Sequence, residues 1–360
     1  MSITKKIVVK IGSNVLTLAS GLPDKKRMAQ LVSQIASLKA TGIQVILVSS
    51  GAVAAGRSVA NNYEHLDTIT KRQMLAAVGQ TELMHTYREL FQQHNETCAQ
   101  VLVTKESFRT RQHYLNIKNC LDGLLKSNIT PIINENDVVS ITELMFTDND
   151  ELSGLVAAML DVESLVLLTN VDGIFTAHPK EPNATLIQDF NATLVDLENA
   201  VSDIKSEFGR GGMFSKATTA KKTSELGIDV YIGNGTKDNI VTALLNKETG
   251  TYFKANENPV SPVKKWVAHA GDFSKAQIII NDGAKEALMS TKANSLLMVG
   301  VIAIKGAFKK GDVVNILDPE QNKIGLGKVT FDSKEANSLI GEKGQQPIIH
   351  YNYLVLDSNS

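Results

Sequence analysis

The chain has 360 residues, 43% hydrophobic and 21% charged, with a net charge of -1. This balance belongs to an ordinary globular protein and excludes a fibre, a disordered chain or one built around a large basic nucleic-acid surface. Its two cysteines, Cys98 and Cys120, stand in no metal or redox spacing, which excludes a disulfide scaffold and fits a reducing cytoplasm. The apolar stretch near the N-terminus is too short for a signal peptide, and no run reaches the length of a membrane span, so a soluble cytoplasmic protein is expected.

From residue 1 to about 255, strand-like and helix-like segments alternate. Apolar runs at Ile7–Ile11, Val45–Val48, Ala99–Val103, Pro131–Ile133, Leu165–Leu168 and Val230–Ile232 predict buried strands. Lys25–Ala40 places Met28, Leu31, Val32, Ile35 and Leu38 on one helical face and meets a stop at Gly42. Amphipathic segments fill the other intervals. The alternation predicts an α/β domain over residues 1–255, a largely parallel sheet sandwiched by helices. Two of the eight prolines then fall in the aperiodic Asn256–Val263, opening a linker over 256–274. Beyond it come QIIIND, GVIAIKG, GDVVNIL, GLGKVTF and YNYLVLD, with one helical stretch at Gly283–Met289. These short β pieces between glycine turns predict a small mainly-β barrel domain over 275–357.

Ligands of open α/β sheets bind beyond the carboxyl ends of the strands. The expected strands are followed there by KIGS (10–13), SSGA (49–52), NEND (134–137), TNVDG (169–173) and GNG (233–235), all polar or glycine-rich. Two further clusters, DND (148–150) and GRGGMFSK (209–216), each precede a helix. Glycines let backbone N–H groups approach phosphate oxygens, a helix N-terminus adds positive potential, and Lys216 adds a mobile cation. The cluster is neither a Walker A loop nor a dinucleotide fingerprint. Singly, each feature has an ordinary reading: a glycine-rich surface turn, a solvated Lys10, Asp148 and Asp150 as helix caps, and Asp137 as a turn residue. In combination they supply what phosphoryl transfer requires, namely cations, N–H donors and an acid to aim the lysines. The seven histidines show no metal spacing. An acceptor carboxylate is already ionised at neutral pH and needs no general base.

These residues carry a family resemblance. VVKIGSNVLT (8–17), VSSGAVAAGR (48–57), LAAVGQ (75–80), PIINENDVV (131–139), DNDELSGLVA (148–157), LLTNVDGIFTAHP (167–179) and GRGGMFSKATTA (209–220) resemble, in order, the amino-acid kinase superfamily. Within it they are similar to the bacterial branch that phosphorylates free glutamate. The tail, with GAFKKGDVV (306–314), resembles a PUA domain. The resemblance implies transfer from ATP to L-glutamate, giving L-glutamyl 5-phosphate and ADP at the start of proline biosynthesis. It also implies feedback inhibition by proline, a homo-oligomer (dimer or tetramer), and Mg2+ arriving with ATP. It makes Lys10 and Lys216 the stabilisers of the transferring phosphoryl group and Asp150 the holder of both lysines. Ser50, Asp137 and Asn149 would bind glutamate, with Gly51, Ala52 and Asn134 close by and Asp137 meeting the α-ammonium. Thr169 and Asn170 would line the nucleotide site, and Arg210, Gly211, Gly212, Met213, Phe214, Ser215 and Lys216 would surround the phosphates, with Lys10 opposite.

Four positions depart from the family pattern: Asn170 and His178 where aspartates are usual, Thr147 for a glycine, and Ala217 for a bulkier aliphatic. Three alternatives are a kinase for another carboxylate on the same fold, a PUA-mediated RNA-binding protein, and a catalytically dead proline sensor, the last disfavoured by the presence of Lys10, Lys216 and Asp150. The first is disfavoured because an N-acetylated acceptor has no ammonium for Asp137. The second is disfavoured because residues 276–360 carry nine lysines, nine acids and no arginine.

Overall fold

A computed structural model of the protein describes residues 5–109, 111–139, 148–177, 181, 183–190, 212–257, 261, 264–265, 267, 276–290 and 294–356. The chain forms two compact units, Met1–Thr104 with Asn119–Pro259, and Lys105–Lys118 with Val260–Ser360. Most of the expected linker lies outside the described residues.

The first unit holds a seven-stranded sheet: β1 (Lys6–Ile11), β2 (Gln44–Ser49), β3 (Thr97–Val103), β4 (Ile129–Glu135), β5 (Ser164–Thr169), β6 (Asp229–Asn234) and β7 (Thr251–Phe253). Their order is β3-β4-β2-β1-β5-β6-β7, parallel except for β7, which runs antiparallel to β6. All six expected strands form, each a residue or more longer than its apolar run. Strand β1 sits in the middle, with β2 on one side and β5 on the other. Chain direction across the sheet reverses here, where crevices form at the carboxyl ends.

Helices after the first two strands set up the crevice. Following α1 (Ser13–Leu16), helix α2 (Lys25–Ala40) buries Met28, Leu31, Val32, Ile35 and Leu38, the face read from the sequence. Its N-terminus is capped by Asp24, whose carboxylate accepts from the Arg27 N–H. After β2 the backbone turns at Gly51, with φ +109, a left-handed conformation that favours glycine, and enters α3 (Ala52–Arg57). Helix α4 (Thr68–Gln92) crosses α3 at backbone contact. A Cβ on Gly79 would lie 1.8 Å from the Ala52 carbonyl oxygen and 2.2 Å from the Gly56 nitrogen. The small residues of VSSGAVAAGR and LAAVGQ are therefore the crossing itself. The short α5 (Glu106–Arg109) and α6 (Arg111–Lys126) follow β3.

Helix α7 (Asn149–Leu160) has every residue from Leu152 to Leu160 buried. A helix apolar on all sides belongs in an interior. Helix α8 (Met213–Glu225) packs beside it, near enough for a Cβ on Gly154 to meet Thr223 Oγ1 at 2.9 Å. The short α9 (Ile240–Leu245) precedes β7.

The second unit carries a five-stranded sheet of β8 (Gln277–Ile280), β9 (Val301–Lys305), β10 (Val313–Leu317), β11 (Lys323–Val329) and β12 (Ile349–Leu356), ordered β12-β11-β10-β8-β9. Its core includes Ile278, Ile280, Val314, Ile316 and Ile349. The expected helix appears as α10 (Asp282–Met289), capped by Asn281. A second, α11 (Ser333–Ser338), is unannounced by periodicity: it has six residues, buries only Ala336, and is held by its Asp332 cap. Among the described residues no helix is long and apolar enough to cross a membrane.

The crossing of α3 and α4 makes one prediction. Gly79→Ala must push the helices apart, and should cost ~2 kcal/mol or more, read as a lower urea midpoint at unchanged slope.

Candidate functional site

Lys10 is the penultimate residue of β1, Asp150 the second residue of α7 and Lys216 the fourth of α8. The three side chains meet. Lys10 Nζ lies 2.6 Å from Asp150 Oδ1, and Lys216 Nζ donates to Asp150 Oδ2 at 2.9 Å. Among the described residues no hydrogen-bond donor is aligned on Oδ1, so the Lys10 contact is an ion pair that falls outside hydrogen-bond geometry. Asp150 is 0% exposed. Burial alone would raise its carboxyl, but the charges of Lys10 and Lys216 beside it outweigh burial and hold it at about 2. Two ammonium groups thus share one carboxylate at the sheet's carboxyl edge.

Asp148, one residue before α7, caps that helix by accepting from the Asp150 and Glu151 N–H groups. Its other oxygen accepts from Ser215 Oγ at 2.8 Å, so the first turns of α7 and α8 are tied by a side chain from each. Burial first, and then the negative charge of Asp150, push the Asp148 carboxyl up to about 6, against the pull of Lys10, Ser215 and Lys216. Gly212 caps α8 with no side chain. Met213, Phe214 and Ser215 complete its first turn, while Arg210, Gly211 and His178 lie outside the described residues.

A second cluster joins the ends of β2 and β4. Asn149 Nδ2 donates to Ser50 Oγ at 2.8 Å, to Asn134 Oδ1 at 3.0 Å and, at 3.3 Å, to the Ser49 carbonyl. Asn134 in turn donates to Gln80 Oε1 of α4 at 3.0 Å and accepts from the Glu135 N–H. The Ser49 hydroxyl shares a 2.7 Å hydrogen bond with the buried Tyr87 of α4. Further along α4, Arg72 Nη2 donates to Asp137 Oδ1 at 2.8 Å, and Gln73 Nε2 to the Val138 carbonyl at 2.6 Å.

Across β1, Thr169 ends β5, and its carbonyl accepts from the Gly235 N–H. Its hydroxyl reaches Asn170 Oδ1 only at 3.4 Å. Asp172 accepts from Asn234 and pairs with Lys237 at 2.8 Å; the Lys237 hydrogen bond leads in holding this carboxyl below its usual range.

The structure thus brings together Lys10, Asp150 and Lys216, and separately Ser50, Asn134 and Asn149 with Gly51 and Ala52 adjoining. Asp137 stands apart from the amide cluster and is paired with Arg72. Four residues at this edge had no assigned role in the sequence: Arg72, Gln80, Asp172 and Lys237. Gln80 and Asp172 lie inside motifs that were recognised, LAAVGQ and LLTNVDG; Arg72 and Lys237 had no local signal.

Among the described residues no group of three or more His, Cys, Asp or Glu could hold a metal ion. The cleft acids are already engaged, Asp150 by two lysines and Asp148 by two backbone N–H groups and Ser215. That donor set suits a divalent cation carried mainly by phosphate oxygens and water.

A sheet with this cleft is a phosphotransferase scaffold, and the comparisons agree. The profile described as Amino acid kinase family matches residues 5–234, and that of the PUA domain matches residues 276–351. The chain belongs to the amino acid kinase family and is a kinase. Its curated relatives include the glutamate 5-kinase of Bacteroides thetaiotaomicron, 46% identical over 355 residues and covering 98% of both chains. That of Chlorobaculum tepidum is 45% identical, covering 98% of this chain and 97% of the relative. Among solved structures, carbamate kinase from Giardia lamblia bound to AMP-PNP shares the fold, with a TM-score of 0.51 at 21% identity over 71% of this chain and all of that one.

Asp148 gives a pH prediction. Its folded carboxyl releases its proton near 6, an unfolded aspartate near about 4. Between these values the folded state binds more protons, so this group's contribution to stability falls as pH rises through the window. Asp148→Asn removes that dependence. Relative to the unmodified protein, its melting temperature should therefore shift upward between about pH 4.5 and about pH 7.5.

Proposed function

We propose that the chain transfers the γ-phosphoryl group of ATP to the side-chain carboxylate of free L-glutamate, giving L-glutamyl 5-phosphate and ADP. Relatives that match this chain along nearly its whole length carry the name glutamate 5-kinase. The observation that carries the chemistry is the buried Lys10–Asp150–Lys216 cluster.

In this reading Lys10 and Lys216 face the transferring phosphoryl group from opposite sides, and their charge offsets what develops on its oxygens. Asp150 keeps both ammonium groups in place without neutralising the pair. Ser50, Asn149 and Asn134, with the backbone at Gly51 and Ala52, receive glutamate, and Asp137 meets its α-ammonium. Thr169 and Asn170 line the nucleotide site, and Gly212 to Lys216 hold the phosphates on the N-terminus of α8, joined by Arg210 and Gly211. Asn170 cannot supply the charge of the aspartate usual there, so nucleotide contacts at this point are made by neutral groups. Mg2+ bridges the phosphates when bound. Feedback inhibition by proline, a homo-oligomeric assembly, a cytoplasmic location and domain limits of 1–255 and 275–357 complete the reading.

A hydroxylamine trap tests the reaction. With MgATP, hydroxamate should form from L-glutamate and not from N-acetylglutamate or L-aspartate; no hydroxamate from glutamate in folded, ATP-binding protein would overturn the assignment. Lys216→Met should lower kcat by on the order of 10²-fold or more while the KM for glutamate stays nearly constant, since the lost charge acts on the transition state.

A further inference from the structure

The Arg72–Asp137 pair lies just beyond Asn134 in the chain, apart from the amide cluster, and is unequal in its burial. The Asp137 side chain is 12% exposed and that of Arg72 48%. The acid is part of the wall, whereas the guanidinium sits at the end of a long arm reaching in from α4. The base of that arm is fixed. Gln73 holds the Val138 carbonyl beside it, and Gln80, about two helical turns on, holds Asn134 at the end of β4. The helix carrying Arg72 is therefore tied on both sides of this stretch, and the guanidinium is the more exposed member of the pair. With one partner half exposed, the ion pair is of modest strength.

We infer that Arg72 is a specificity residue for the α-carboxylate of the acceptor amino acid, parked on Asp137 until the substrate's α-ammonium takes that place. The inference rests on the reading that Asp137 meets the α-ammonium. A free amino acid brings one positive and one negative charge on a single carbon. Asp137 and Arg72 supply one negative and one positive charge from adjoining positions. Exchange replaces one neutral pair by two neutral pairs, and no charge is left unmatched before or after binding. The planar fork of a guanidinium also matches a carboxylate better than a lysine would. The site then selects a complete α-amino acid head group, over and above the γ-carboxylate that reacts.

The α-amide of L-glutamate tests this, because it keeps the α-ammonium and γ-carboxylate and lacks only the α-carboxylate charge. Its inhibition constant against glutamate should exceed the KM for glutamate by on the order of tenfold or more, the size of a charge-assisted hydrogen bond. Arg72→Gln should raise the KM for glutamate by a similar factor and leave both the α-amide constant and the KM for ATP in place, so that the ratio collapses toward one. Arg72→Lys should fall between. An α-amide that binds the unmodified protein as well as glutamate does, or a ratio unchanged in Arg72→Gln, would overturn the inference. The first comparison needs no variant, and so stands even if a substitution disturbs folding. Asp137→Asn separates the two readings: it should weaken glutamate and the α-amide alike. If it weakens neither, the ammonium assignment is wrong and the inference falls with it. If it weakens both while Arg72→Gln leaves the ratio unchanged, only the role of Arg72 is wrong.

Discussion

One carboxylate with no exposed surface, held between two ammonium groups, organises the catalytic unit. Moving a charge out of water costs several kcal/mol, and only close opposite charges with good hydrogen bonding offset it. Asp150 can therefore remain ionised only while Lys10 and Lys216 stay where they are. Those lysines come from the central strand and from a helix some two hundred residues further along, with Asp150 on a third element. The cluster thus joins β1, α7 and α8 at the edge where the sheet order reverses. Removing Asp150 would leave two buried ammonium groups unmatched, a loss of about 3–5 kcal/mol. The arrangement that stabilises this edge also sets two ammonium groups side by side, as a polyphosphate requires.

Around that centre, neutral groups do the positioning. Asn149 follows the Asp148 cap and directly precedes Asp150, so its amide is aimed by the same helix start that aims the carboxylate. It reaches the ends of β2 and β4 at once. Asp148 adds a second tie, to Ser215, between the two helix starts that carry Asp150 and Lys216. The charged and the amide halves of the cleft therefore share α7 as a common support, and α7 owes its fixed place to being buried from Leu152 to Leu160.

Local patterns in the sequence reveal the parts of this structure that depend on local physics. Apolar runs mark strands β1 to β6, a 3.6-residue stripe marks α2, and polar residues beyond each strand mark the cleft. Lys10, Asp150 and Lys216 come from motifs that a family resemblance makes legible. What stayed hidden is long-range or very short. Arg72 meets Asp137 across 65 residues and Gln80 meets Asn134 across 54, and no periodicity records such pairings. Strand β7 has three residues and α11 has six, too few for a period to emerge. The glycines of VSSGAVAAGR and LAAVGQ were visible as motifs, but that they touch each other is a property of the crossing alone.

That crossing fixes a length. With Gly79 pressed on the Ala52 carbonyl, α4 can neither slide along α3 nor turn about its own axis. Gln80 and Arg72 are then held eight residues apart on one rigid rod, about 12 Å of rise. Beside it, the interval from Asn134 to Asp137 is measured off against a ruler that does not stretch. The spacing of these two contacts is in this sense written into a glycine contact that belongs to neither.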